Sequence, residues 1–190
     1  MQIVLASASP RRQELLREMG IEFVVKPANI PEIRFPDELP RGFAERMARE
    51  KARAVQATDA PESAVVLGAD TIVVIENIVL GKPIDKRDAA HMLRLLSGRK
   101  HQVITGVALL VRDFEDVRSE STDVYFSEIC EEDIREYVDS GEPMDKAGAY
   151  AIQGQASRWI SRIDGDYSNV VGLPVALVKQ MLRERGAFEI

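Results

Sequence analysis

A single carboxylate stands within a strongly apolar stretch of this sequence. Asp70 lies in VVLGADTIVVI at 65–75, a run rich in β-branched residues that is typical of a buried strand. Because an unpaired buried carboxylate is costly, Asp70 needs a partner or a function. It could bind a divalent metal ion or take a proton from water; an aspartate bonded to backbone at a strand end is the structural alternative. Gly68, two residues earlier, leaves room for another group to approach closely.

A lysine falls on the apolar face of a predicted long helix, Arg41 to Thr58. Lys51 lies four residues after Met47 and four before Val55, so the three side chains share one face. Its side chain either extends past the edge of this face into solvent or reaches a pocket that contains anions. The helical pattern leaves both outcomes open. Lys82, in Gly-Lys-Pro, supplies another cation close to Asp70 in sequence, and a plain turn is the alternative there.

The first strand-to-helix turn combines features that favour phosphate binding. Ser9 suits the N-cap position, and Pro10 suits the first position of the helix. Helix N-termini carry unpaired N–H groups and partial positive charge, and the forked guanidinium groups of Arg11 and Arg12 match phosphate oxygens. A capped helix with two solvated arginines is the alternative. No glycine-rich loop is present in this turn, so neither a P-loop nor a dinucleotide-binding fingerprint fits it.

A late segment, DKAGAYAIQG at 145–154, mixes charges, small residues and one amide. Small residues allow the backbone to approach a flat ligand, and Gln153 could contact the edge of a base, although a plain glycine-containing loop is the alternative.

His91 and His101 have no second histidine at a metal-ligand spacing, so both are expected to be structural. Cys130, the one cysteine, lies in no Cys/His motif and is not predicted to be a nucleophile.

The overall composition limits the class of protein. The chain has 190 residues, 45% of them apolar, and a net charge of −6 with basic and acidic residues interspersed. This distribution argues against a basic face for nucleic acid, although it allows a local phosphate site. No run approaches the roughly 20 apolar residues of a membrane span, and the N-terminus is predicted to be a strand, not a signal peptide. We therefore expect a cytoplasmic protein with neither nucleic acid nor membrane as a partner.

Helices and strands alternate along the chain, and neighbouring strands also occur in its middle. This order predicts an α/β fold with a mixed sheet. The predicted strands are Gln2–Ala6, Phe23–Lys26, Val65–Val74, Ile78–Leu80, Val103–Arg112 and Val117–Ile129, with Tyr150–Ile152 and Trp159–Ile163 ambiguous. The predicted helices are Pro10–Met19, Arg41–Thr58, one from Asp85 to about Ser97, Glu131–Asp139 and one between Pro174 and Gly186. Glu76 and Asn77 could form the turn of a hairpin that leads into Ile78–Leu80, and Asp85 suits the N-cap of the third helix.

Several segments, in this order, resemble the Maf family of nucleoside triphosphate pyrophosphatases across nearly the whole chain. They are LASASPRRQELL at 5–16, AREKA at 48–52, LGADTIV at 67–73, GKP at 81–83, LSGRKHQVITGVAL at 96–109, EPMDKAGAYAIQG at 142–154 and VVGLPV at 170–175. The resemblance implies a single domain over 1–190 with the Maf/Ham1 (ITPase-like) α/β fold, in which helices flank a mixed central sheet and two lobes surround a cleft. It also implies hydrolysis between the α- and β-phosphates, a divalent metal cation (Mg or Mn) as cofactor, and a homodimer.

The resemblance also assigns roles to individual residues. Asp70 matches the catalytic proton acceptor, and Asp70 with Glu32 is expected to hold the metal. Many members carry an acidic pair where this chain has Ile30-Pro31-Glu32, so Glu32 departs from the usual pattern. The residues that match substrate-binding positions are Ser9, Arg11, Arg12, Lys51, Thr71, Lys82 and Gln153.

The segment KAGAYAIQG resembles the subfamily that acts on dTTP and UTP. The expected activity is therefore cleavage of these nucleotides, or of modified pyrimidine nucleotides, to the monophosphate and pyrophosphate. The expected cellular role is the removal of such nucleotides from the nucleotide pool. Two alternatives stay open: a nucleotide-binding regulator of septum formation and cell-division arrest without significant turnover, and a 7-methyl-GTP pyrophosphatase. Metal-dependent release of pyrophosphate distinguishes an enzyme from a regulator, and a nucleotide panel distinguishes the substrates.

Overall fold

A computed structural model describes residues 2–58 and 60–186 of the chain. Within these residues the strands are β1 (Ile3–Leu5), β2 (Phe23–Val25), β3 (Val65–Ile75), β4 (Ile78–Leu80), β5 (Lys100–Val111), β6 (Phe114–Phe126) and β7 (Ile160–Asp164). The helices are α1 (Pro10–Glu18), α2 (Pro40–Thr58), α3 (Lys86–Leu96), α4 (Glu131–Asp139), α5 (Tyr167–Val171) and α6 (Val175–Glu184). Short 3₁₀ turns cover Glu142–Asp145, Ala147–Ala149 and Gln155–Trp159.

The described strands form one mixed sheet of seven strands in the order β2-β1-β3-β5-β6-β7, with β4 paired to β3. Strand β1 runs parallel to both β2 and β3, whereas β4 is antiparallel to β3 and β7 is antiparallel to β6. The predicted α/β fold with a mixed sheet is therefore confirmed. Contacts divide the described residues into two compact units, which agrees with the two expected lobes.

The first unit contains 2–58, 60–70, 105–120 and 172–186. It has a core of small and β-branched side chains: Val4, Ala6, Ala48, Ala52, Val55, Ala64, Val66, Ala108 and Leu110. The second unit contains 71–104 and 121–171. Its core is richer in aromatic residues and includes Phe126, Tyr137, Tyr150 and Trp159. Trp159 meets Tyr137 edge to face at 5.1 Å.

Helix α2 lies directly on the backbone of two strands of the first unit. A Cβ added to Gly68 in β3 would lie 2.1 Å from the carbonyl oxygen of Ala48, and one added to Gly106 in β5 would lie 2.3 Å from that of Ala44. Ala44 and Ala48 are one turn apart on α2 and are fully buried. The close approach predicted at Gly68 is confirmed, and the group that approaches is the backbone of α2.

The predicted hairpin turn after β3 and the predicted cap of α3 agree with the structure, and differences lie at element ends and in short elements. Glu76 and Asn77 both have positive φ, as a tight hairpin between β3 and β4 requires. The Asp85 side chain accepts a 2.7 Å hydrogen bond from the Asp88 N–H and caps α3. Strands β5 and β6 each begin three residues earlier than predicted, and most of these added first residues carry polar side chains. Helix α5 and the 3₁₀ turns are too short to have a periodic pattern.

His101 is a structural residue of the second unit, as predicted. It is buried, its Nε2 lies 2.8 Å from the Tyr150 hydroxyl, and its ring meets the Phe126 ring edge to face. Burial disfavours the imidazolium and lowers the pKa of His101 from 6.5 to about 4. The folded protein therefore keeps this ring neutral at a pH where the unfolded chain protonates it.

We expect His101 to make the protein lose stability in mild acid. Because the folded pKa lies below the unfolded one, the loss begins as pH falls below 6.5 and is complete near pH 4. It amounts to roughly 3 kcal/mol for such a shift. Urea unfolding of the wild type and of His101→Gln between pH 7.5 and 4.5 should give a difference in free energy of unfolding that changes with pH. His91→Gln, at an exposed position of α3, should follow the wild type throughout; parallel curves for His101→Gln would contradict the prediction.

Candidate active site

Two carboxylates of the first unit converge on one ammonium group. The Lys51 Nζ donates to Glu32 Oε1 and to Asp70 Oδ1, each at 2.6 Å. Lys51 comes from α2 and Asp70 from the middle of β3, while Glu32 lies in the irregular segment between β2 and α2. The side chains of Lys51 and Asp70 are only 11% and 8% exposed, whereas Glu32 is 44% exposed. Of the two outcomes left open for Lys51, the structure therefore shows contact with anions.

The environment of Asp70 changes its acidity. Burial in β3 raises the pKa of Asp70, while the nearby cations Lys51 and Arg12 oppose this increase and Glu32 adds to it. A carboxylate with a raised pKa is a better proton acceptor than an ordinary surface aspartate. Asp70 is thus held by Lys51 in an environment that favours acid–base chemistry.

Arg12 connects three separate parts of the first unit. Its Nε donates to the Gly172 carbonyl at 2.8 Å, and one terminal nitrogen donates to Ser7 Oγ at 3.1 Å and to the Ala69 carbonyl at 2.9 Å. Desolvation lowers the pKa of the Arg12 guanidinium, and the charge of Asp70 opposes that effect. These bonds link the turn after β1 to the peptide that immediately precedes Asp70. Arg12 therefore organises the site through backbone contacts.

The turn before α1 has the geometry of an uncapped helix N-terminus. Ser9 occupies the N-cap position and Pro10 the first helical position, as predicted, but the Ser9 side chain makes no capping bond. The Ser9 N–H instead donates to Ser7 Oγ at 3.2 Å. Arg11 is half-buried in the first turn. Backbone N–H groups with an adjacent arginine at a helix N-terminus form a suitable site for a phosphate group.

The carboxylates of the site are suited to a metal ion that arrives with its substrate. Within residues 2–58 and 60–186, no group of three or more His, Cys, Asp or Glu residues could hold a metal ion. Magnesium is commonly bound by one or two carboxylates together with substrate phosphates. Glu32 and Asp70 already share one cation, the Lys51 ammonium, so their oxygens can meet at a single positive charge. This donor set therefore fits a divalent ion completed by phosphate oxygens.

The other predicted site residues belong to the second unit. Thr71 follows Asp70 in β3 and is half-buried, while Lys82 and Gln153 are exposed. The Gly148 N–H donates to the Gly81 carbonyl at 3.0 Å, so the segment 146–149 lies against the loop that carries Lys82. Gly148 has φ of +67°, and a Cβ there would lie 2.8 Å from the Val73 side chain. The glycine allows this segment to pack closely on β3.

Sequence patterns did not indicate the contacts that Ser7 and Arg46 make near the site. Ser7 lies in the same segment as Ser9, and only its contacts show that its hydroxyl serves Arg12 and the Ser9 N–H. Arg46 lies on α2, and its side chain is only 12% exposed and pairs with Glu38. Glu38 lies in an irregular segment that has no periodic pattern, so nothing in the sequence indicated that Arg46 pairs with it.

A mixed-sheet α/β protein with cations and carboxylates gathered beside a helix N-terminus is typical of phosphate-handling enzymes. The sequence matches the family model described as Maf-like protein over residues 2–185, and the chain belongs to the Maf family. No helix among the described residues has both the length and the apolar character needed to cross a bilayer.

Curated relatives cover nearly the whole chain. A relative from Koribacter versatilis (strain Ellin345) is 53% identical over 186 residues, covering 98% of this chain and 95% of its own. One from Symbiobacterium thermophilum is 54% identical over 185 residues, 97% of this chain and 94% of its own. One from Geobacter sulfurreducens is 51% identical over 187 residues, 97% of each chain. All three are named dTTP/UTP pyrophosphatase.

Proposed function

We propose that this protein is a nucleoside triphosphate pyrophosphatase that hydrolyses dTTP and UTP to the nucleoside monophosphate and pyrophosphate. The observation that carries the proposal is the bridging of Glu32 and Asp70 by Lys51, with Asp70 buried. This arrangement offers a proton acceptor, a cation for phosphate and two carboxylates for a metal in one place. The names of relatives at about half identity over nearly the full chain support the same activity and supply the choice of nucleotide.

Asp70 acts as the proton acceptor in the proposed reaction. It orients a water molecule and takes its proton while the water oxygen attacks the α-phosphorus. The bond from this phosphorus to the bridging oxygen breaks, and pyrophosphate leaves with the bonding electrons. The raised pKa of Asp70 supports the role, because a base works best when its pKa approaches the working pH.

The cations of the first unit bind the triphosphate. Arg11 and the N-terminal N–H groups of α1, with the Ser9 hydroxyl, contact phosphate oxygens, and Lys51 adds an ammonium charge beside Asp70. Arg12 supports them through its bonds to Ser7 and Ala69 and adds positive charge of its own. A divalent cation (Mg or Mn) held by Glu32 and Asp70 would offset negative charge on the phosphate oxygens as pyrophosphate leaves.

Residues of the second unit complete the proposal. Lys82 contributes a further cation for phosphate, and Thr71 and Gln153 contribute to the choice of nucleotide. The support for Gln153 is that Glu142 holds the backbone that follows it. The Gln155 N–H donates to Glu142 Oε1 at 3.1 Å, and a Cβ on Gly154 would lie 1.8 Å from the same oxygen, so the chain packs closely on Glu142 here. The proposed setting is the cytoplasm, where free nucleotides are the substrates.

Pyrophosphate release from a panel of nucleoside triphosphates tests the proposal. We expect release from dTTP and UTP that depends on magnesium or manganese and stops with a chelator, because the two carboxylates need a cation to accommodate the triphosphate. Release from 7-methyl-GTP alone would keep the chemistry and overturn the choice of base. Saturable binding of dTTP without any release would contradict the proposed activity and support a nucleotide-binding regulator.

A further inference from the structure

The segment that carries Glu32 has no regular structure of its own. Residues 26–39 connect β2 to α2 without a helix or a strand, and three of their apolar side chains, Ile33, Phe35 and Leu39, are more than half exposed. Such a segment buries too little apolar surface to fix its own conformation. The position of Glu32 beside Lys51 must therefore depend on specific contacts between this segment and its neighbours.

Arg46 of α2 makes the most extensive of these contacts. Its Nε and Nη2 donate to Glu38 Oε1 and Oε2 at 2.6 and 2.8 Å, and Nη2 also donates to the Ile33 carbonyl at 2.8 Å. Its Nη1 donates to Glu50 Oε1 at 3.0 Å, and the guanidinium lies 4.0 Å from the centre of the Phe35 ring. Paired bonds from a planar guanidinium to a carboxylate fix orientation as well as distance. Arg46 thus holds the segment at several points at once.

Glu38, which Arg46 binds, also makes hydrogen bonds to residues close to Glu32 in the chain. Its side chain accepts from the Phe35 N–H at 3.1 Å, and its carbonyl accepts from Arg34 Nε at 2.9 Å. Residues 34–38 therefore form a compact turn, joined by these hydrogen bonds, around the carboxylate that Arg46 binds. The Ile33 carbonyl, which Arg46 also binds, adjoins Glu32 directly in the chain.

We propose that Arg46 is a positioning residue for Glu32: through Glu38 and the Ile33 carbonyl it fastens the segment 26–39 to α2, so that Glu32 meets the Lys51 ammonium that also binds Asp70. The inference rests on the proposed function, in which Glu32 serves the phosphate and metal site. Arg46 and Lys51 lie five residues apart on one helix, so α2 holds the segment at two points. Arg46 touches no reacting atom and acts through Glu32.

Kinetic comparison of matched variants tests this role. Arg46→Met should lower kcat/KM for dTTP about 10- to 100-fold, the usual effect of removing a residue that supports a metal ligand. Arg53→Met, which removes an exposed α2 arginine paired with Glu115, should match the wild type. Arg46→Lys should recover only part of the loss, because an ammonium lacks the paired geometry. Arg46→Met should add nothing to the loss caused by Glu32→Gln, since that variant has no carboxylate at position 32 left to position.

Hydrogen exchange of the nucleotide-free protein gives a readout that is independent of turnover. The peptide spanning 27–39, which includes the Phe35 and Glu38 amides, should exchange at least about 10-fold faster in Arg46→Met than in Arg53→Met. Equal exchange in the two variants, or additive losses for Arg46→Met and Glu32→Gln, would overturn the inference. If the wild type releases no pyrophosphate, the proposed function fails, and the exchange result alone then supports or overturns the fastening by Arg46.

Discussion

Asp70→Asn is expected to fold normally, to bind dTTP and to lose hydrolysis by about three orders of magnitude, within the usual range for removal of a general base. The amide keeps the shape of the carboxylate but accepts no proton from water. Folding should survive because the change removes a buried charge, and Lys51 keeps its 2.6 Å bond to Glu32. Initial rates of pyrophosphate release, nucleotide binding by calorimetry and a thermal melt measure the three properties.

Asp116→Asn is the matched control for this experiment. Asp116 also belongs to the first unit and also pairs with a cation, since its Oδ2 lies 2.8 Å from Arg118 Nη2. Its loss should leave the rate unchanged, because it has no part in the proposed site. An Asp70→Asn protein that hydrolyses dTTP at the wild-type rate would remove Asp70 from the mechanism.

Gly68→Ala is expected to cause a large loss of stability, although it adds only a single methyl group. The new Cβ would lie 2.1 Å from the Ala48 carbonyl oxygen and 2.9 Å from the Ala52 Cβ, so α2 would have to move away from β3. Overpacking of this kind costs about 3 kcal/mol, which corresponds to a fall in melting temperature of roughly 10 °C for a chain of this size. Because α2 carries Lys51 and β3 carries Asp70, activity should fall as well.

Gly42→Ala separates this effect from a general intolerance of alanine. Gly42 lies in the first turn of α2, and a Cβ added there would meet no atom within 4 Å beyond its chain neighbours and the adjacent backbone of its own helix. Alanine favours a helix over glycine by about 1 kcal/mol, so this variant should melt at or above the wild-type temperature. Calorimetry of both variants checks the pair of predictions. A Gly68→Ala protein that melts within two or so degrees of the wild type would show that α2 does not press on β3 as described.

Local patterns in the sequence were sufficient for most of the longer helices and for the turns between neighbouring elements. The bounds of α4 match the prediction, the hairpin after β3 forms at Glu76 and Asn77, and the capping of α3 by Asp85 is confirmed. Each depends on residues within a few positions of one another, so spacing alone contains the information. Short elements such as α5 were missed because they contain too few residues to show a period.

The sequence by itself also determined which residues were out of place: a carboxylate in an apolar strand and a lysine on an apolar helix face. Only the tertiary structure decided that Lys51 joins Asp70 to Glu32, that Arg12 binds backbone carbonyls, and that Arg46 is covered by an irregular segment. The physical reason is the distance between α2 and β3, which is set by two backbones in contact at Gly68. Periodicity predicts which face a side chain occupies, whereas its partner depends on which elements pack together and how closely.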